Sequence, residues 1–236
     1  MEPATLEFDP PGFPRSRKYG DIYFSPHGGL EESRSVFLAG NFLPERWRGR
    51  ETFTVGELGF GTGLNFLATW QCWKQDPQAP ARLHYLSCEN HPIPPQKLKA
   101  CFQNFPELHR PLEELIEQIP PPVAGFHRLS FQGGRVLLTL LFGDAQEVWP
   151  QVQGKVDAWY LDGFAPGLNP KMWQEKLFHS LANKTAKGGT FATYSSASRV
   201  RRALMAAGFK VEKLPGFGGK REMLRGSLAN PPEGER

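Results

Sequence analysis

The chain has 236 residues, of which 39% are hydrophobic, enough for one folded domain with a core and a smaller appendage. No apolar run reaches the ~18 residues of a membrane-spanning helix, and residues 1–7 lack the basic and apolar regions of a signal peptide. The three cysteines lack C-x-x-C spacing, and the six histidines form no tight cluster, which argues against a disulfide framework and a metal site. We expect a cytoplasmic protein with no membrane association and no metal.

The net charge of +4 is concentrated near the carboxyl end of the chain. Residues 199–225 carry +6, because eight basic residues are opposed there only by Glu212 and Glu222, and the remainder carries −2. The basic residues are Arg199, Arg201, Arg202, Lys210, Lys213, Lys220, Arg221 and Arg225. A local basic surface is what a polyanion such as RNA requires. A solvated helix face with ordinary basic residues explains the window equally well.

Periodicity and turn residues predict an α/β protein in which strands and helices alternate. Residues 1–50 are rich in proline, glycine and aromatic residues and are predicted to be an extension packed on the core, with a strand at 21–25 and a helix at 30–38. Further strands are predicted at 52–55, 82–89, 126–131, 135–142, 156–161, 190–194, 209–214 and 222–228, the pair at 126–142 forming a hairpin. Further helices are predicted at 64–73, 94–105, 111–119, 172–187 and 198–207, with Gly188 and Gly189 ending the helix that begins at residue 172.

This alternation predicts a mostly parallel sheet with an antiparallel edge at its carboxyl end. The predicted core domain covers residues 51–229, and the polar residues 230–236 are predicted to be a flexible tail.

A glycine-rich turn joins the strand at 52–55 to the helix at 64–73, and reads Glu-Leu-Gly-Phe-Gly-Thr-Gly-Leu-Asn from residue 57 to residue 65. Such a turn lets a ligand approach the backbone and directs free N–H groups at it. The dinucleotide fingerprint G-x-G-x-x-G would require a third glycine at Leu64. The turn therefore indicates a nucleotide-like cofactor other than NAD, or an ordinary tight turn.

Four acidic residues follow predicted strands, where ligands of parallel sheets bind. They are Glu57, Glu89, Asp144 and Asp162. Glu89 can accept hydrogen bonds from both hydroxyls of a ribose, and Asp144 from an adenine amino group. The alternatives are a charge at a helix start for Glu89 and an ordinary N-cap for Asp144.

The segment Asp162, Gly163, Phe164, Ala165, Pro166 has the composition of a site for amine methylation. A primary alkylamine is largely protonated near neutral pH, as lysine is, so a carboxylate such as Asp162 can orient it or take its proton. The ring of Phe164 can offer its face to a base or a cation. A structural turn with a buried phenylalanine is the alternative.

The chain resembles the methyltransferase domain of the MnmC family, bifunctional enzymes that complete 5-methylaminomethyl-2-thiouridine at the tRNA wobble position. The matching stretches are 21–25, 29–34, 36–38, 57–66, 156–166, 169–173 and 216–224. The resemblance implies a Rossmann-like class I methyltransferase fold that uses S-adenosylmethionine and methylates the amine of a 5-aminomethyl uridine in tRNA.

The resemblance also implies roles for individual residues. It places Glu57, Gly59, Gly61, Thr62, Gly63, Asn65, Glu89, Asp144 and Asp162 at the cofactor. It places Asp162 and Phe164 at the reacting amine as the catalytic pair. We expect Tyr23, Phe164 and Pro166 to hold the substrate nucleoside. From the local positive charge we expect the anticodon stem-loop to be held by Arg199, Arg201, Arg202, Lys220 and Arg221.

In the bifunctional enzymes an FAD-dependent oxidoreductase follows this domain, and 236 residues are too few to hold it. We therefore expect no FAD and no removal of a carboxymethyl group by this chain, with a separate enzyme supplying the aminomethyl uridine. The alternatives are another RNA or small-molecule amine methyltransferase, an NAD(P)-dependent oxidoreductase, and an RNA-binding module without a cofactor.

Overall fold

A computed structural model of the chain describes residues 1–10, 12–25 and 28–229. The predicted tail at 230–236 lies outside these residues. The strands are β1 (Leu6–Asp9), β2 (Phe13–Ser16), β3 (Thr52–Leu58), β4 (Arg82–Glu89), β5 (Gly125–Phe131), β6 (Val136–Phe142), β7 (Val156–Tyr160), β8 (Thr185–Thr193), β9 (Phe209–Pro215) and β10 (Glu222–Leu228). The α-helices are α1 (Gly29–Glu32), α2 (Leu64–Gln75), α3 (Pro95–Cys101), α4 (His109–Ile116), α5 (Ala145–Val148), α6 (Glu175–Lys184) and α7 (Ser198–Ala206).

Eight strands form one sheet in the order β5-β6-β4-β3-β7-β8-β10-β9. The run from β6 to β8 is parallel, whereas β5 pairs antiparallel with β6, and β10 pairs antiparallel with both β8 and β9. The central strand β7 is buried along its whole length, as expected for a parallel strand covered by helices on both faces. The predicted mostly parallel sheet with an antiparallel carboxyl-terminal edge is confirmed.

The apolar core lies on both faces of this sheet. One cluster includes Phe66 and Trp70 of α2, and the other includes Trp149, Trp159 and Phe178. Apolar residues of the N-terminal segment, Leu6, Phe24 and Leu30, belong to the first cluster. Among the described residues, no helix combines the length and the apolar character needed to cross a membrane.

The N-terminal strand predicted at 21–25 is wrong. In this segment only Ile22 forms a bridge, with Arg15, and the Asp21 carboxylate accepts hydrogen bonds from the N–H groups of Ile22 and Ala165. The strands of this region are instead β1 and β2, which form a separate antiparallel hairpin. The backbone of Asp21 and Tyr23 bonds to Ser16 and Pro14 of β2 at 2.8 and 3.0 Å, so the pairing of this segment is limited to a single bridge.

The helix predicted at 172–187 is too long at both ends. Residues Pro170–Trp173 form a 3-10 turn, and α6 ends at Lys184, so that Gly188 and Gly189 lie inside β8. A Cβ atom at Gly189 would stand 2.5 Å from the Thr185 side chain, and the pairing of β7 with β8 changes register beside Val156. The glycine pair marks a bulge rather than a helix end.

The helix predicted at 94–105 ends at Cys101 and is followed by a 3-10 turn at Pro106–Leu108. The helix predicted at 30–38 consists of α1 and a π-helical segment, Ser33–Leu38.

Candidate active site

A cavity opens at the carboxyl edge of the parallel strands, and two of the four predicted acids, Glu89 and Asp162, line it. Its loop wall consists of the glycine turn after β3, residues 59–62, with Glu89 at the end of β4. Its opposite wall consists of side chains of the N-terminal segment and of residues 162–164, which follow β7. The opposite wall includes Tyr19, Tyr23, Glu32, Ser33, Asp162, Gly163, Phe164 and Met172. The topology therefore brings residues from distant parts of the chain to one edge of the sheet.

The glycine turn exposes bare backbone to the cavity. Gly59 and Gly61 have φ angles of 83° and 52°, in the region that side chains disfavour. A Cβ atom at Gly61 would lie 3.2 Å from the ring of Tyr23, and one at Gly59 would lie 3.8 Å from the Asp162 carbonyl oxygen. The loop is held to β4, because the N–H groups of Gly59 and Phe60 donate to the Cys88 carbonyl at 3.1 and 3.0 Å.

Glu89 fixes the same loop from the neighbouring strand. Its Oε2 atom accepts the Gly61 N–H at 2.9 Å, and its Oε1 atom accepts the His91 N–H at 2.8 Å. Burial raises the pKa of Glu89 while these N–H donors lower it. Each carboxylate oxygen has a second lone pair, so Glu89 retains the capacity to accept from ligand hydroxyls.

A chain of polar side chains connects the two walls beneath the cavity. The Asn65 amide nitrogen donates to Glu57 Oε1 at 2.9 Å and to Asp162 Oδ2 at 2.8 Å, and Asn65 Oδ1 accepts from the Ser33 hydroxyl at 2.6 Å. The second oxygen of Glu57 accepts from the Ser87 hydroxyl at 2.7 Å. Burial raises the pKa of Glu57 to about 8. Glu57 is 1% exposed and lies behind the cavity surface. Asn65 thus sets the orientation of Asp162.

Asp162 lines the cavity directly. Its Oδ1 atom accepts the Gly163 N–H at 2.7 Å, so both of its oxygens have a protein donor. Burial raises the pKa of Asp162 to about 6, and the two N–H donors oppose that shift. The carboxylate is therefore fixed in direction and titrates close to neutral pH.

Phe164 belongs to an aromatic cluster with two tyrosines of the N-terminal segment. Its ring is stacked on Tyr19 with a centroid distance of 4.7 Å, and Tyr23 approaches it edge-on at 5.2 Å. Its carbonyl accepts the Trp173 indole N–H at 2.9 Å. Tyr19 is thus stacked on a face of the Phe164 ring, and a flat ligand ring could be stacked on Phe164 in the same way.

Glu32, at the end of α1, is a cavity residue to which the sequence patterns assign no role. Its Oε2 atom is buried and has no hydrogen-bond partner among the described residues. Burial and the charge of Asp162 raise the pKa of Glu32 to about 7, against the opposing effects of the Lys220 charge and of a hydrogen bond with Tyr194. The only sequence signal was its place in the 29–34 stretch of the family resemblance.

Several predicted site residues lie away from the cavity surface. Asp144 is the N-cap of α5, where its Oδ1 atom accepts the Gln146 N–H at 2.9 Å. Within the described part of the chain, Gly63 and Pro166 also do not line the cavity. Thr62 and Asn65 do line it. Gly63 precedes α2, and a Cβ atom there would lie 2.8 Å from the Phe60 ring.

The basic residues of 199–225 divide into two groups. Lys213 pairs with Glu222 at 2.7 Å and Arg225 with Glu212 at 3.1 Å across β9 and β10. The other six are exposed and form no ion pair within the described residues, and one of them, Lys210, lies at the start of β9. The remaining five, the rim cations, are Arg199, Arg201, Arg202, Lys220 and Arg221. They lie on α7 and on the β9–β10 turn, which both begin at the carboxyl edge of the sheet.

Lys220 connects this rim to the cavity. Its ammonium lies 4.1 Å from the centre of the Tyr194 ring, and it acts electrostatically on Glu32. Bare loop backbone, acids and an aromatic cluster around one cavity suit a ligand that carries hydroxyl groups and positive charge.

Comparison with known proteins relates the chain to methyltransferases. A family model described as S-adenosyl-L-methionine-dependent methyltransferase matches residues 106–229. The chain is 52% identical over 226 residues to the tRNA 5-methylaminomethyl-2-thiouridine biosynthesis bifunctional protein MnmC of Azoarcus sp. (strain BH72). That match covers 96% of this chain and 36% of the relative. The protein of the same name from Stutzerimonas stutzeri is 48% identical, with 95% and 34% covered. The chain thus spans about a third of the length of these curated relatives, and the predicted similarity to MnmC is confirmed.

Solved structures agree with this relationship. The crystal structure of MNMC2 from Aquifex aeolicus matches with a TM-score of 0.75 and 26% identity, over 98% of this chain and 72% of that chain. A Listeria monocytogenes protein assigned to the class I S-adenosylmethionine-dependent methyltransferases matches with a TM-score of 0.52 at 13% identity, over 89% of this chain and 65% of that one. The predicted Rossmann-like class I fold is confirmed.

Proposed function

Because the chain belongs to the S-adenosyl-L-methionine-dependent methyltransferase family, we propose that it methylates the amine of 5-aminomethyl-(2-thio)uridine at the tRNA wobble position, giving 5-methylaminomethyl-(2-thio)uridine. The observation that carries the proposal is the single cavity in which the glycine loop faces Asp162 and Phe164. The acceptor is supported by the MnmC relatives, which are named for the biosynthesis of that nucleoside and match 95–96% of this chain.

S-adenosylmethionine would supply a methyl group activated by a sulfonium sulfur. The backbone of Gly59, Gly61 and Thr62 would hold it, and Glu89 would accept hydrogen bonds from the ribose hydroxyls. Asn65, in the first turn of α2, would contact the cofactor. Glu57 and Gly63 do not line the cavity among the described residues and would act indirectly, Glu57 by fixing Asn65 and Gly63 by allowing the loop conformation. Asp144, as an N-cap beside this edge, is the candidate for the adenine end.

Asp162 would orient the acceptor amine. Its direction is fixed by Asn65 and Gly163, so an amine hydrogen-bonded to it approaches the cavity from one side only. Most of the rate gain would come from this positioning. Phe164, with Tyr23 and Pro166, would form the pocket for the flipped uracil.

The rim cations would hold the anticodon stem-loop through its phosphates. They form no ion pair among the described residues, they lie on elements that begin at the same edge of the sheet as the cavity, and Lys220 acts electrostatically on the cavity residue Glu32. A separate enzyme would provide the aminomethyl uridine, since no part of the proposed chemistry removes a carboxymethyl group.

Labelled S-adenosylmethionine and a tRNA that carries 5-aminomethyl-2-thiouridine test the proposal. We expect label to enter that tRNA and mass spectrometry of the nucleosides to show 5-methylaminomethyl-2-thiouridine. A matched tRNA with unmodified uridine should stay unlabelled, and one with the carboxymethylaminomethyl group should stay unchanged with or without added FAD. Label in a small-molecule amine but not in the tRNA would favour the alternative acceptor class and contradict the proposal.

A further inference from the structure

Glu32 stands out among the acids of the cavity because part of its carboxylate is unsatisfied. Both oxygens of Asp162, and both of Glu89, accept hydrogen bonds from protein donors. Glu32 Oε2 is buried and accepts none from the described residues. A buried acceptor that has no hydrogen-bond donor is unfavourable. The missing donor is therefore expected from a ligand.

The position of Glu32 relative to Asp162 is fixed by the chain itself. Ser33, the next residue, donates to Asn65 at 2.6 Å, and Asn65 donates to Asp162 at 2.8 Å. Both carboxylates line the same cavity, and the charge of Asp162 acts on Glu32. A cation that enters the cavity therefore meets two carboxylates that approach from different elements of the fold.

Three charged or titratable groups act on Glu32 from the elements packed around it. Asp162 follows β7 and disfavours the ionised form of Glu32, while Lys220 of the β9–β10 turn favours it. Tyr194 follows β8, and its hydroxyl forms a side-chain hydrogen bond with the Glu32 carboxylate that also favours the ionised form, while Oε2 remains without a donor among the described residues. Burial raises the pKa of the carboxyl to about 7, close to the value at which a general base is most effective near neutral pH.

We propose that Glu32 is the carboxylate that removes the proton from the substrate ammonium, while Asp162 holds the nitrogen in line. This inference rests on the proposed function. Asp162 suits the holding role because its two protein donors fix its direction. Glu32 suits the proton transfer because its free oxygen can take a hydrogen without giving up a protein bond.

The step conserves atoms and charge. The ammonium gives one proton to the ionised Glu32, and the freed lone pair forms the nitrogen–carbon bond to the methyl group. The bond between methyl and sulfur breaks, and its electron pair stays on sulfur. The product is a secondary ammonium, and the proton removed from the substrate leaves Glu32 for solvent after turnover.

The pH dependence of methyl transfer by Glu32→Gln tests this role. In the wild-type protein the rate should rise as Glu32 ionises around pH 7 and then level off. The glutamine variant should lose roughly 10²-fold in kcat at neutral pH. Its rate should keep rising toward the amine pKa of about 10, because the free amine then comes from solution. Its affinity for S-adenosylmethionine, measured by calorimetry, should be unchanged.

Two further variants separate chemistry from structure. Glu31→Gln removes an exposed acid next in the chain that pairs only with Arg34 among the described residues, and it should keep the wild-type rate and profile. Glu32→Asp retains the carboxylate, so it should keep the plateau above neutral pH even at a lower rate. If a thermal melt shows that Glu32→Gln does not fold, the test rests on Glu32→Asp. A Glu32→Asp rate that keeps rising with pH and reaches no plateau would contradict the inference.

The outcomes distinguish this inference from the function on which it rests. If the wild-type protein does not methylate the aminomethyl tRNA, both the proposed function and the role of Glu32 are wrong. Two results would contradict only the role of Glu32 while the wild-type protein is active. One is a Glu32→Gln variant whose kcat is within about threefold of the wild-type value, and the other is a slower variant whose pH profile is unchanged.

Discussion

The two walls of the cavity differ in how completely their acids are satisfied. On the loop wall, Glu89 accepts two backbone N–H groups, and Glu57 behind it accepts from an amide and a hydroxyl. On the opposite wall, Asp162 has two donors but Glu32 has an oxygen with none within the described chain. Both acids of the loop wall therefore have a protein donor on each oxygen, whereas the opposite wall contains a carboxylate oxygen whose donor the described residues do not supply.

The difference follows from the elements that form each wall. The loop wall lies at the ends of β3 and β4, two parallel strands of the central sheet. The opposite wall combines a loop after β7 with α1 and the N-terminal tyrosines. Binding sites are commonly built from loops placed on a rigid scaffold. We infer that the loop wall defines the cofactor position and the opposite wall the acceptor.

The largest expected effect comes from removing the acid that joins the walls. Asp162→Ala should lower kcat for methyl transfer by roughly 10³-fold, because the amine loses its fixed acceptor and its in-line geometry. Single-turnover measurements with labelled S-adenosylmethionine would report the change. Calorimetry should show that cofactor binding persists.

An Asp162→Asn variant serves as the isosteric control. It keeps the size of the side chain but loses the charge, so it should remain far below the wild-type rate. Retained activity in either variant would remove Asp162 from the mechanism and would leave the opposite wall with Glu32 as its one tested acid.

The loop wall could be predicted from sequence because its signals are local. The strand, the glycine turn and the helix occupy residues 52–75 in sequence order, and Glu89 follows the next strand. Alternation of strands and helices also predicted the parallel sheet. The roles of individual residues, including those proposed for Asp144 and Pro166, stay predictions.

On the opposite wall the local segment after β7 predicted Asp162 and Phe164, but their neighbours could not be predicted because those contacts are distant in sequence. Ser33 bonds to Asn65 across 32 positions, and Ala165 bonds to Asp21 across 144. Nothing in the local pattern of α1 indicates that one oxygen of Glu32 is left without a partner. The strand predicted at 21–25 also depends on distant contacts, because its pairing with β2 is limited to the single bridge at Ile22.

A smaller effect is expected on the loop wall from Glu89→Ala. The variant should raise the Kd for S-adenosylmethionine by about 10- to 100-fold, since a hydrogen bond to a charged group contributes about 1.5–3 kcal/mol and each tenfold in Kd is about 1.4 kcal/mol. The loss combines the ribose contact with the anchor of the Gly61 N–H. Isothermal calorimetry gives the value directly.

Glu89→Gln tests which of these two contributions dominates. Its amide oxygen can still accept the Gly61 N–H, so the loop stays anchored while the negative charge is lost. A glutamine variant with wild-type affinity would assign Glu89 to the loop alone, and an alanine variant with wild-type affinity would contradict the ribose contact.

The smallest effect per residue is expected from the rim cations on α7 and the β9–β10 turn. Reversing the charge at Arg201, Arg202 and Lys220 should weaken tRNA binding and reduce the slope of log K against log salt by ~0.7 to 0.9 for each phosphate that the variant no longer neutralises. Filter binding over a series of salt concentrations measures both quantities. The cofactor Kd should not change, because none of the three lines the cavity among the described residues.

The matched control places the same change in charge at the other edge of the sheet. Lys155, Lys187 and Lys210 are exposed and lie before or near the starts of β7, β8 and β9, whose amino ends face away from the cavity. Reversing these three should leave the salt slope at its wild-type value, since nonspecific net charge alters the overall affinity while the same phosphates remain neutralised. Equal slopes for the rim and control variants would move the tRNA surface away from α7 and the β9–β10 turn. A reduced slope for the rim variant alone would place the polyanion at the opening beside Glu32, where Lys220 already acts on that carboxyl group.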